Sequence, residues 1–452
     1  MIEIIRGEEW PLSLYPDNTE GCMYKLSEYI IIEKCDDEYL LLHTLSWSLF
    51  LLTEIEYENI LNYEYFKKYK IILDEKIDEH SLAKKIYLKR STLPSVPTYD
   101  KINSFIIYTT NKCNAQCFYC FQKDILKQIH MSTETANDVA NFIMEKSNGE
   151  VGIQWFGGEP LINTNVMNQI CETLAKHNIK YHSSMITNGL LFNEKNINKA
   201  NNLWNMESVQ ISIDGINETY NNIKNYKNKN IDGFKTVYKN IENILHLSDI
   251  KVIVRINVSY DNFENVKETV KYFHDNFEEY LKTGRLILYT MVLFNYIKND
   301  QYSAIKLWDN LDELSEKYVF LQKPFYNKIL NHSNLLTCMA DKGTTLSIST
   351  EGELSTCNQW ANENIIGNIY DGIIKKDVLK EWFTKDGENI KFCVKNICKY
   401  LPICNHYYKC KDLPICSTIT DIEIRLSQLK KSMIYTYNEY KKRINQMKNG
   451  EG

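Results

Sequence analysis

The stretch Phe105-Ile-Ile-Tyr-Thr-Thr-Asn-Lys-Cys-Asn-Ala-Gln-Cys-Phe-Tyr-Cys120 joins an apolar strand directly to a loop that carries three cysteines. Its first five residues have the length and the aromatic and β-branched content of a buried strand. The cysteines, Cys113, Cys117 and Cys120, follow with C-x3-C-x2-C spacing. The chain therefore places three thiols within eight residues, immediately after a strand ends.

Three thiolates at this spacing can bind three irons of a [4Fe–4S] cluster and leave the fourth iron without a protein ligand. An open iron can bind a small molecule and pass it an electron. A zinc knuckle is the structural alternative, although zinc sites more often use paired C-x2-C spacing. The loop therefore predicts an iron–sulfur site at the end of a strand.

Downstream of this strand, apolar segments alternate with helical segments. The helices include Thr133–Lys146, which Ser132 is expected to cap, and Asn262–His274. The predicted strands lie near residues 104–109, 151–156, 181–187, 207–213, 250–258 and 285–293. Six β–α pairs in sequence predict an α/β fold with a parallel sheet curled into a partial (β/α)6 barrel. Ligands in such barrels bind at the carboxyl ends of the strands, where the cysteine loop lies.

The chain divides by composition into four predicted parts. A small α+β domain covers residues 1–97, with a hairpin over 29–32 and 39–42 and helices over Glu54–Tyr65 and Glu79–Leu88. The segment Pro94–Pro97 marks its end. The barrel is expected over 98–325 and a cysteine-rich domain over 326–416. Residues 417–452 hold a closing amphipathic helix over Ile419–Met447.

Charge and apolar patterning limit the partners that we expect. The net charge of −5 gives no electrostatic reason to expect nucleic acid. The N-terminus lacks the pattern of a signal peptide, and the apolar run Tyr39–Leu52 is too short and polar to cross a membrane. With no export signal, we expect the thirteen cysteines to lie in a reducing cytoplasm, where metal binding is favoured over disulfides.

Polar residues follow the next strands at the same predicted edge of the sheet. In Gly157-Gly158-Glu159-Pro160 the glycines allow close approach of backbone to a ligand, and the carboxylate can accept bonds from an ammonium group. A simple loop would use the same residues. Thr187-Asn188 ends the third strand as a ligand contact or as a cap. Ser212, Asp214 and Arg255 alternate with apolar neighbours and should point inward, where a buried ion pair is the alternative for the arginine.

These motifs together resemble the radical S-adenosylmethionine (SAM) superfamily. The resemblance implies that the open iron binds SAM and that electron transfer yields a 5'-deoxyadenosyl radical, which removes hydrogen from a substrate. Some relatives place an arginine for the SAM carboxylate about twenty residues after the fourth-strand serine, where this chain has Lys224, Lys227 and Lys229. The resemblance implies these SAM contacts: Tyr119, Gly157, Gly158, Glu159, Thr187, Asn188, Ser212, Asp214 and Arg255.

Seven cysteines between residues 338 and 416 resemble the SPASM extension, which binds two auxiliary [4Fe–4S] clusters in peptide-modifying members of the superfamily. The resemblance assigns Cys338, Cys357 and Cys410 to the first cluster. It assigns Cys393, Cys398, Cys404 and Cys416 to the second. The gaps after Cys393 and Cys404 are longer than the family usually has. His332, a substrate thiol or an unfilled site would complete the first cluster, and a zinc ribbon is the alternative.

The combined resemblance predicts an enzyme that matures a ribosomally made precursor peptide. That peptide would consist of a leader and a core, and we expect the core to be Cys-rich. A Cys thioether is the expected bond, because an open iron on the first auxiliary cluster would suit a substrate thiolate. Carbon–carbon crosslinking is the alternative. Formylglycine formation in sulfatases is another, although Asn358 stands where those enzymes have an acidic base. From a different class, a non-catalytic iron–sulfur electron carrier would not need the SAM motifs.

Two further roles are expected from the resemblance. A flavodoxin or ferredoxin-type protein would supply electrons. Residues 1–97 would recognise the leader by accepting it as an added strand at a sheet edge, or would serve only as a structural cap on the barrel. The sequence assigns no catalytic base.

Overall fold

A computed structural model describes residues 3–6, 10–16, 23–91, 99–120, 122, 127–293, 301–322, 343–358, 365–377, 379, 391–401, 404 and 419–448. The predicted boundary Pro94–Pro97, the candidate ligand His332, and Cys338, Cys410 and Cys416 lie outside the described residues.

The N-terminal part forms two small antiparallel sheets with short helices. Its elements are β1 (Glu3–Arg6), β2 (Tyr24–Leu26), β3 (Ile30–Cys35), β4 (Glu38–His43), β5 (Ser48–Thr53), α1 (Glu54–Glu58), α2 (Glu64–Lys68), β6 (Ile72–Asp74) and α3 (Glu79–Ser91). The larger sheet has the order β1-β5-β4-β3, and β2 pairs with β6. The predicted hairpin is therefore confirmed as β3 and β4, which pair from Ile30 with His43 to Cys35 with Glu38.

The single helix predicted over Glu54–Tyr65 is wrong, because the chain leaves the helix at Asn59. Both the backbone N–H and the side-chain amide of Asn59 donate to the carbonyl of Ile55, at 3.2 and 2.9 Å. An asparagine that satisfies a helical carbonyl with its side chain competes with continuation of the helix. A single 3-10 turn, Ile60–Asn62, then separates α1 from α2.

The central part is a mostly parallel sheet covered by helices. Its strands are β7 (Ile102–Thr110), β8 (Ser147–Gly157), β9 (Lys180–Thr187), β10 (Met206–Ser212), β11 (Lys251–Val258), β12 (Leu286–Val292) and β13 (Leu321–Gln322). Its helices are α4 (Thr133–Lys146), α5 (Thr164–Lys176), α6 (Glu194–Asn202), α7 (Asn217–Lys224), α8 (Gly233–Leu247), α9 (Phe263–Lys282) and α10 (Gln301–Lys317). Strands β7 to β13 are parallel neighbours in chain order, which confirms the predicted α/β class.

Apolar alternation explains how these strands and helices pack. On β11, Val252, Val254 and Ile256 are buried, while Ile253 and Arg255 point to the other face and are only partly covered. The buried side chains join residues of the helices in one large core. The predicted cap of α4 is confirmed, since the Ser132 hydroxyl accepts a bond from the Thr135 amide at 3.0 Å.

The helix predicted over Asn262–His274 is longer in the structure, where α9 continues to Lys282. Buried apolar residues continue along the same face of the added turns, at Phe277 and Leu281. Phe277 itself has a non-helical backbone, with φ −132° and ψ 24°. The helix is therefore kinked at Phe277, and the packing of Phe277 and Leu281 against the core accounts for its extension beyond the predicted limit.

Four further strands extend the sheet beyond β7. They are β14 (Thr345–Ile348), β15 (Glu353–Ser355), β16 (Ile365–Asn368) and β17 (Gly372–Ile373). Strand β14 runs parallel to β7, with Thr345 opposite Ser104 and Ile348 opposite Ile107. The other three are antiparallel. The described part of the predicted cysteine-rich segment thus includes a strand that pairs with β7, the strand that leads into the cysteine loop.

Two C-terminal helices, α11 (Lys391–Lys395) and α12 (Ile419–Lys448), pack against the N-terminal part. One core joins Tyr29, Leu82 and Tyr87 to residues of α12 and to Cys398 and Cys404. Tyr437 on α12 donates to the carboxylate of Glu38 at 2.8 Å. The N-terminal part and the C-terminal helix α12 therefore share one hydrophobic core.

None of the helices that the structure describes is both long enough and apolar enough to cross a membrane.

Candidate active site

The cysteine loop leaves the carboxyl end of β7 and is fixed there by backbone bonds. The Gly158 amide donates to Thr110 at 2.9 Å, and the Glu159 amide donates to Lys112 at 3.0 Å. The side-chain amide of Asn111 donates to the Thr350 hydroxyl at 3.2 Å, beside the β14–β15 turn. The carboxyl ends of β7 and β8 and the start of the cysteine-rich segment thus meet at one place.

Gly157 and Gly158 are needed for this close approach. A Cβ atom on Gly157 would lie 2.1 Å from the Thr110 carbonyl oxygen, and its φ of +128° also disfavours other residues. A Cβ atom on Gly158 would lie 2.4 Å from the Lys112 carbonyl oxygen. The sequence predicted close approach to a ligand, and the structure shows close approach to the chain's own loop.

Glu159 is fully buried and links three elements through its carboxylate. The carboxylate accepts from the Thr187 hydroxyl at 2.7 Å, the Asn188 amide at 2.8 Å and the Leu161 amide at 3.1 Å. Burial raises the pKa of this carboxyl group, while these bonds lower it. Glu159 therefore holds the ends of β8 and β9 together beneath the cysteine loop.

Asn188 extends from the end of β9 to the first cysteine. Its side-chain amide donates to the Asn114 carbonyl oxygen at 2.7 Å and lies 3.9 Å from the Cys113 sulfur. The Nδ2 group of Asn114 is buried without a partner among the described residues. A sulfur atom of a bound cluster would accept a bond from such a donor.

Asp214 is satisfied by the protein itself. It accepts from the Asn257 side chain at 2.8 Å and the Asn257 amide at 3.2 Å. It also accepts from the Tyr119 hydroxyl and forms an ion pair with Lys224 at 2.7 Å. The predicted SAM contacts Tyr119 and Asp214 are thus brought together, but as partners of each other.

Ser212 and Arg255 remain open to the inner face of the sheet. They lie opposite each other on β10 and β11, and Tyr289 of β12 is next in register. Arg255 donates from Nε to Asn257 at 2.9 Å, and no carboxylate within the described ranges pairs with it. The structural ion pair considered for Arg255 is therefore not found there, and a cation faces the barrel interior.

The three loop cysteines supply the set of thiolate donors that a cubane cluster needs. Cys113 and Cys117 are half-buried, and Cys120 is exposed. Burial raises the pKa of Cys113 to about 12, and the nearby Glu159, Cys117 and Cys120 add to the rise. No three His, Cys, Asp or Glu side chains in the described part converge on one metal ion. A cubane does not require that, because each cysteine binds a different iron.

The described C-terminal cysteines occupy two places. Cys357 follows β15, and the carbonyl of the next residue, Asn358, accepts the Tyr108 hydroxyl of β7. Cys393, Cys398 and Cys404 lie near the N-terminal part, where a hydrogen bond that the Cys398 thiol donates to Cys393, together with burial, raises the pKa of Cys398. Their neighbour Tyr87 has its pKa raised by burial and by Cys404 and Cys393. The structure describes four of the seven C-terminal cysteines, and their assignment to two clusters stays a prediction.

The sequence reasoning missed the role of Lys224. The sequence shows only that Lys224 stands in the region where some relatives have an arginine, yet the residue is buried and bonded to Asp214 and Tyr119. It lies between Tyr220 and Tyr226 in the sequence. The tyrosines that flank the lysine on both sides were the available signal.

Comparison with known proteins agrees with this geometry. Residues 107–300 match the Radical SAM superfamily. The part of the chain that carries the cysteine loop is therefore a radical SAM domain, and the members of that superfamily are enzymes that use a [4Fe–4S] cluster and SAM.

Two relatives extend over more of the chain. An uncharacterized protein of Methanocaldococcus jannaschii is 28% identical over 282 residues, which cover 60% of this chain and 90% of the relative. The radical SAM cyclopropyl synthase TigE of Paramaledivibacter caminithermalis is 24% identical over 389 residues, covering 77% and 76%. Among solved structures, anSMEcpe with bound AdoMet has a TM-score of 0.57 at 18% identity, covering 74% of this chain and 98% of that one. That likeness shows the fold.

Proposed function

We propose that the chain is a radical SAM enzyme that modifies a precursor peptide. The observation that carries the proposal is the three-cysteine loop at the carboxyl end of β7, with Glu159, Asn188, Ser212 and Arg255 around it. When bound, the cluster and SAM supply the 5'-deoxyadenosyl radical that removes a hydrogen atom from the substrate. Arg255 is the proposed partner of the SAM carboxylate, because it is a half-buried guanidinium without a described carboxylate partner.

The auxiliary cysteines support a peptide as the substrate class, through the resemblance to the SPASM extension. The fold neighbour anSMEcpe has been crystallised with AdoMet and a peptide named Cp18Cys, with a TM-score of 0.55. The likeness to TigE also extends well beyond residues 107–300, since it covers 389 residues. We therefore assign the flanking parts of the chain to peptide binding and to two auxiliary clusters.

The relative TigE, a cyclopropyl synthase, favours carbon–carbon bond formation as a candidate reaction. The thioether hypothesis rests on an open iron of the first auxiliary cluster, and two of its three cysteines, Cys338 and Cys410, lie outside the described residues. We rank carbon–carbon bond formation first and the Cys thioether second. Formylglycine formation is ranked last, because Asn358 has no acidic group.

Anaerobic reconstitution tests the radical chemistry. The wild-type protein should bind iron and sulfide and form 5'-deoxyadenosine from SAM under reduction. A Cys113/Cys117/Cys120→Ala variant should lose one cluster and all 5'-deoxyadenosine. A Cys171→Ala variant is the control, since Cys171 is buried between α5 and the sheet. Formation of 5'-deoxyadenosine by the triple variant would show that the loop is not the radical source.

Coexpression with short reading frames beside the gene tests the substrate class and the bond. Either ring closure removes two hydrogen atoms from the peptide. A thioether also removes a thiol that iodoacetamide would otherwise alkylate, whereas a carbon–carbon bond does not. Modification of a peptide whose cysteines are replaced by alanine supports carbon–carbon bond formation, and its loss supports the thioether. No mass change in any such peptide counts against a peptide substrate.

Leader recognition by the N-terminal part remains a proposal. The edge strands of its larger sheet are β1 and β3, and a peptide would add beside one of them. Deleting residues 1–97 is unsuited as a test, because their core also covers Cys398, Cys404 and α12. Hydrogen exchange of the intact protein is better. Added leader peptide should slow exchange in β1 or β3, and protection confined to the barrel would exclude leader recognition there.

A further inference from the structure

A buried lysine lies beside the cysteine loop. The side chain of Lys224 is 2% exposed and that of its partner Asp214 is 1% exposed. Its ammonium group lies 5.7 Å from the ring centres of both Tyr119 and Tyr220. Enclosing an ammonium group this completely is costly unless its partners compensate for the lost water.

The partners of Lys224 connect the cysteine loop to the barrel. Its ammonium group pairs with Asp214 at 2.7 Å and donates to the Tyr119 hydroxyl at 3.0 Å. Tyr119 precedes the last loop cysteine and itself donates to Asp214. Asp214 is bonded in turn to Asn257 on β11. One chain of bonds therefore runs from the loop through Lys224 and Asp214 to the sheet.

Backbone bonds reinforce this connection. The Gln116 amide, inside the loop, donates to the Lys224 carbonyl at 2.9 Å, and the Lys227 amide donates to the Asn114 carbonyl at 2.8 Å. Helix α7 ends at Lys224, and Asn225 adopts a left-handed conformation with φ 47°. The chain therefore turns at the point where it meets the loop, and that turn exposes the Lys224 carbonyl to Gln116.

Lys224 also supplies a positive charge next to Cys117. Its ammonium group bonds to Tyr119, and its carbonyl accepts from Gln116, so the residue lies against the loop on both sides of Cys117. Lys224 and Asp214 have opposite charges, so the pair is neutral overall. Removing either member would leave an uncompensated charge close to a loop cysteine.

We propose that Lys224 is a positioning residue of the SAM-cluster loop, which it fastens to the barrel through Tyr119 and Asp214 while its charge tunes the reduction potential of the cluster. The inference rests on the assignment of the cluster to Cys113, Cys117 and Cys120. Residues that hydrogen-bond to the groups around a metal ligand orient that ligand, and their loss commonly weakens metal binding about 10- to 100-fold.

Two quantities measured on the reconstituted protein test the proposal: the rate at which a chelator removes loop-bound iron, and the reduction potential from an EPR-monitored titration. The signal of the loop cluster is identified as the one absent from the Cys113/Cys117/Cys120→Ala variant. Lys431→Met is the matched control, because Lys431 forms remote ion pairs with Asp309 and Asp312 at 2.6 and 2.8 Å.

The variants separate the effect of the Lys224 charge from the effect of its hydrogen bonds, which hold the cysteine loop against the barrel. Lys224→Met should release iron about tenfold faster and shift the potential to more negative values, because a positive charge is lost. Asp214→Asn should shift the potential to more positive values. The double variant should recover the wild-type potential but still release iron fast. Tyr119→Phe removes one hydroxyl and no charge, so it should speed release at an unchanged potential.

The outcomes distinguish this proposal from the cluster assignment. If wild type and the triple cysteine variant hold the same iron, the assignment itself fails. If the loop cluster is present but Lys224→Met matches Lys431→Met in both release and potential, the role of Lys224 is wrong. Should Lys224→Met not fold, Asp214→Asn and Tyr119→Phe decide, and wild-type values in both of them overturn the proposal.

Discussion

The Glu159→Gln substitution changes one buried atom and tests how the site is built. In the wild-type protein one carboxylate oxygen accepts from Thr187 and Leu161, and the other accepts from the Asn188 amide at 2.8 Å. A glutamine can keep the first oxygen as a carbonyl. Its NH2 group must then face the Asn188 N–H, and two donors cannot bond to each other.

The cost follows from that unsatisfied donor. A buried N–H without an acceptor costs about 1–3 kcal/mol. Because the lost bond holds the end of β9, the cost should appear as easier local opening there. At 25 °C this range corresponds to about fivefold to 150-fold faster exchange of the affected amides.

Native-state hydrogen exchange with mass spectrometry measures this effect. Peptides covering residues 159–163 and 187–191 should exchange faster in Glu159→Gln, while peptides from α8 should not change. Glu172→Gln is the matched control, because Glu172 is exposed on α5. If both peptides of Glu159→Gln exchange within twofold of this control, Glu159 does not hold β8 and β9 together, and its carboxylate is then available to a ligand.

Two more predictions concern backbone approach and pH. Gly158→Ala should destabilise the protein by about 1–3 kcal/mol or more and reduce iron binding, because the new Cβ lies 2.4 Å from the Lys112 carbonyl oxygen; thermal melting and iron analysis check this. Burial lowers the pKa of His43 to about 3. As the pH falls from about 6.5 to about 3, this histidine is therefore protonated in the unfolded chain but stays neutral in the folded chain. Stability should therefore fall by about 2 kcal/mol from pH 7 to pH 5 in urea denaturation of the apoprotein, and His43→Gln should lack that part of the loss.

The sequence was informative where structure depends on local pattern. The alternation of apolar segments with helical segments located β7 to β12 to within a few residues, except that β8 begins earlier, at Ser147. Ser132 was identified as a cap because its hydroxyl bonds an amide three residues away. The cysteine spacing identified the loop because its three cysteines, like the cap and its partner, are close together in the sequence.

The sequence was uninformative where distant segments meet. Tyr119 and Lys224 are 105 positions apart, and Tyr437 and Glu38 are 399 apart. Periodicity indicates which face of an element is buried, but it does not indicate what covers that face. The shared core of the N-terminal part, α12 and Cys398 could not be read from the sequence for that reason, and neither could the placement of β14 beside β7.

The hydrogen-bond partners of the polar residues at the site limit where SAM can bind. Glu159 and Asp214 were both predicted contacts, yet each already accepts at least three bonds from the protein. A ligand that used either carboxylate would have to displace those donors and leave them unsatisfied. Ser212 and Arg255 face the barrel interior without that penalty. We therefore expect a bound SAM to lie over β10 and β11, where Ser212 and Arg255 are in register, rather than against the carboxylates that support the cysteine loop.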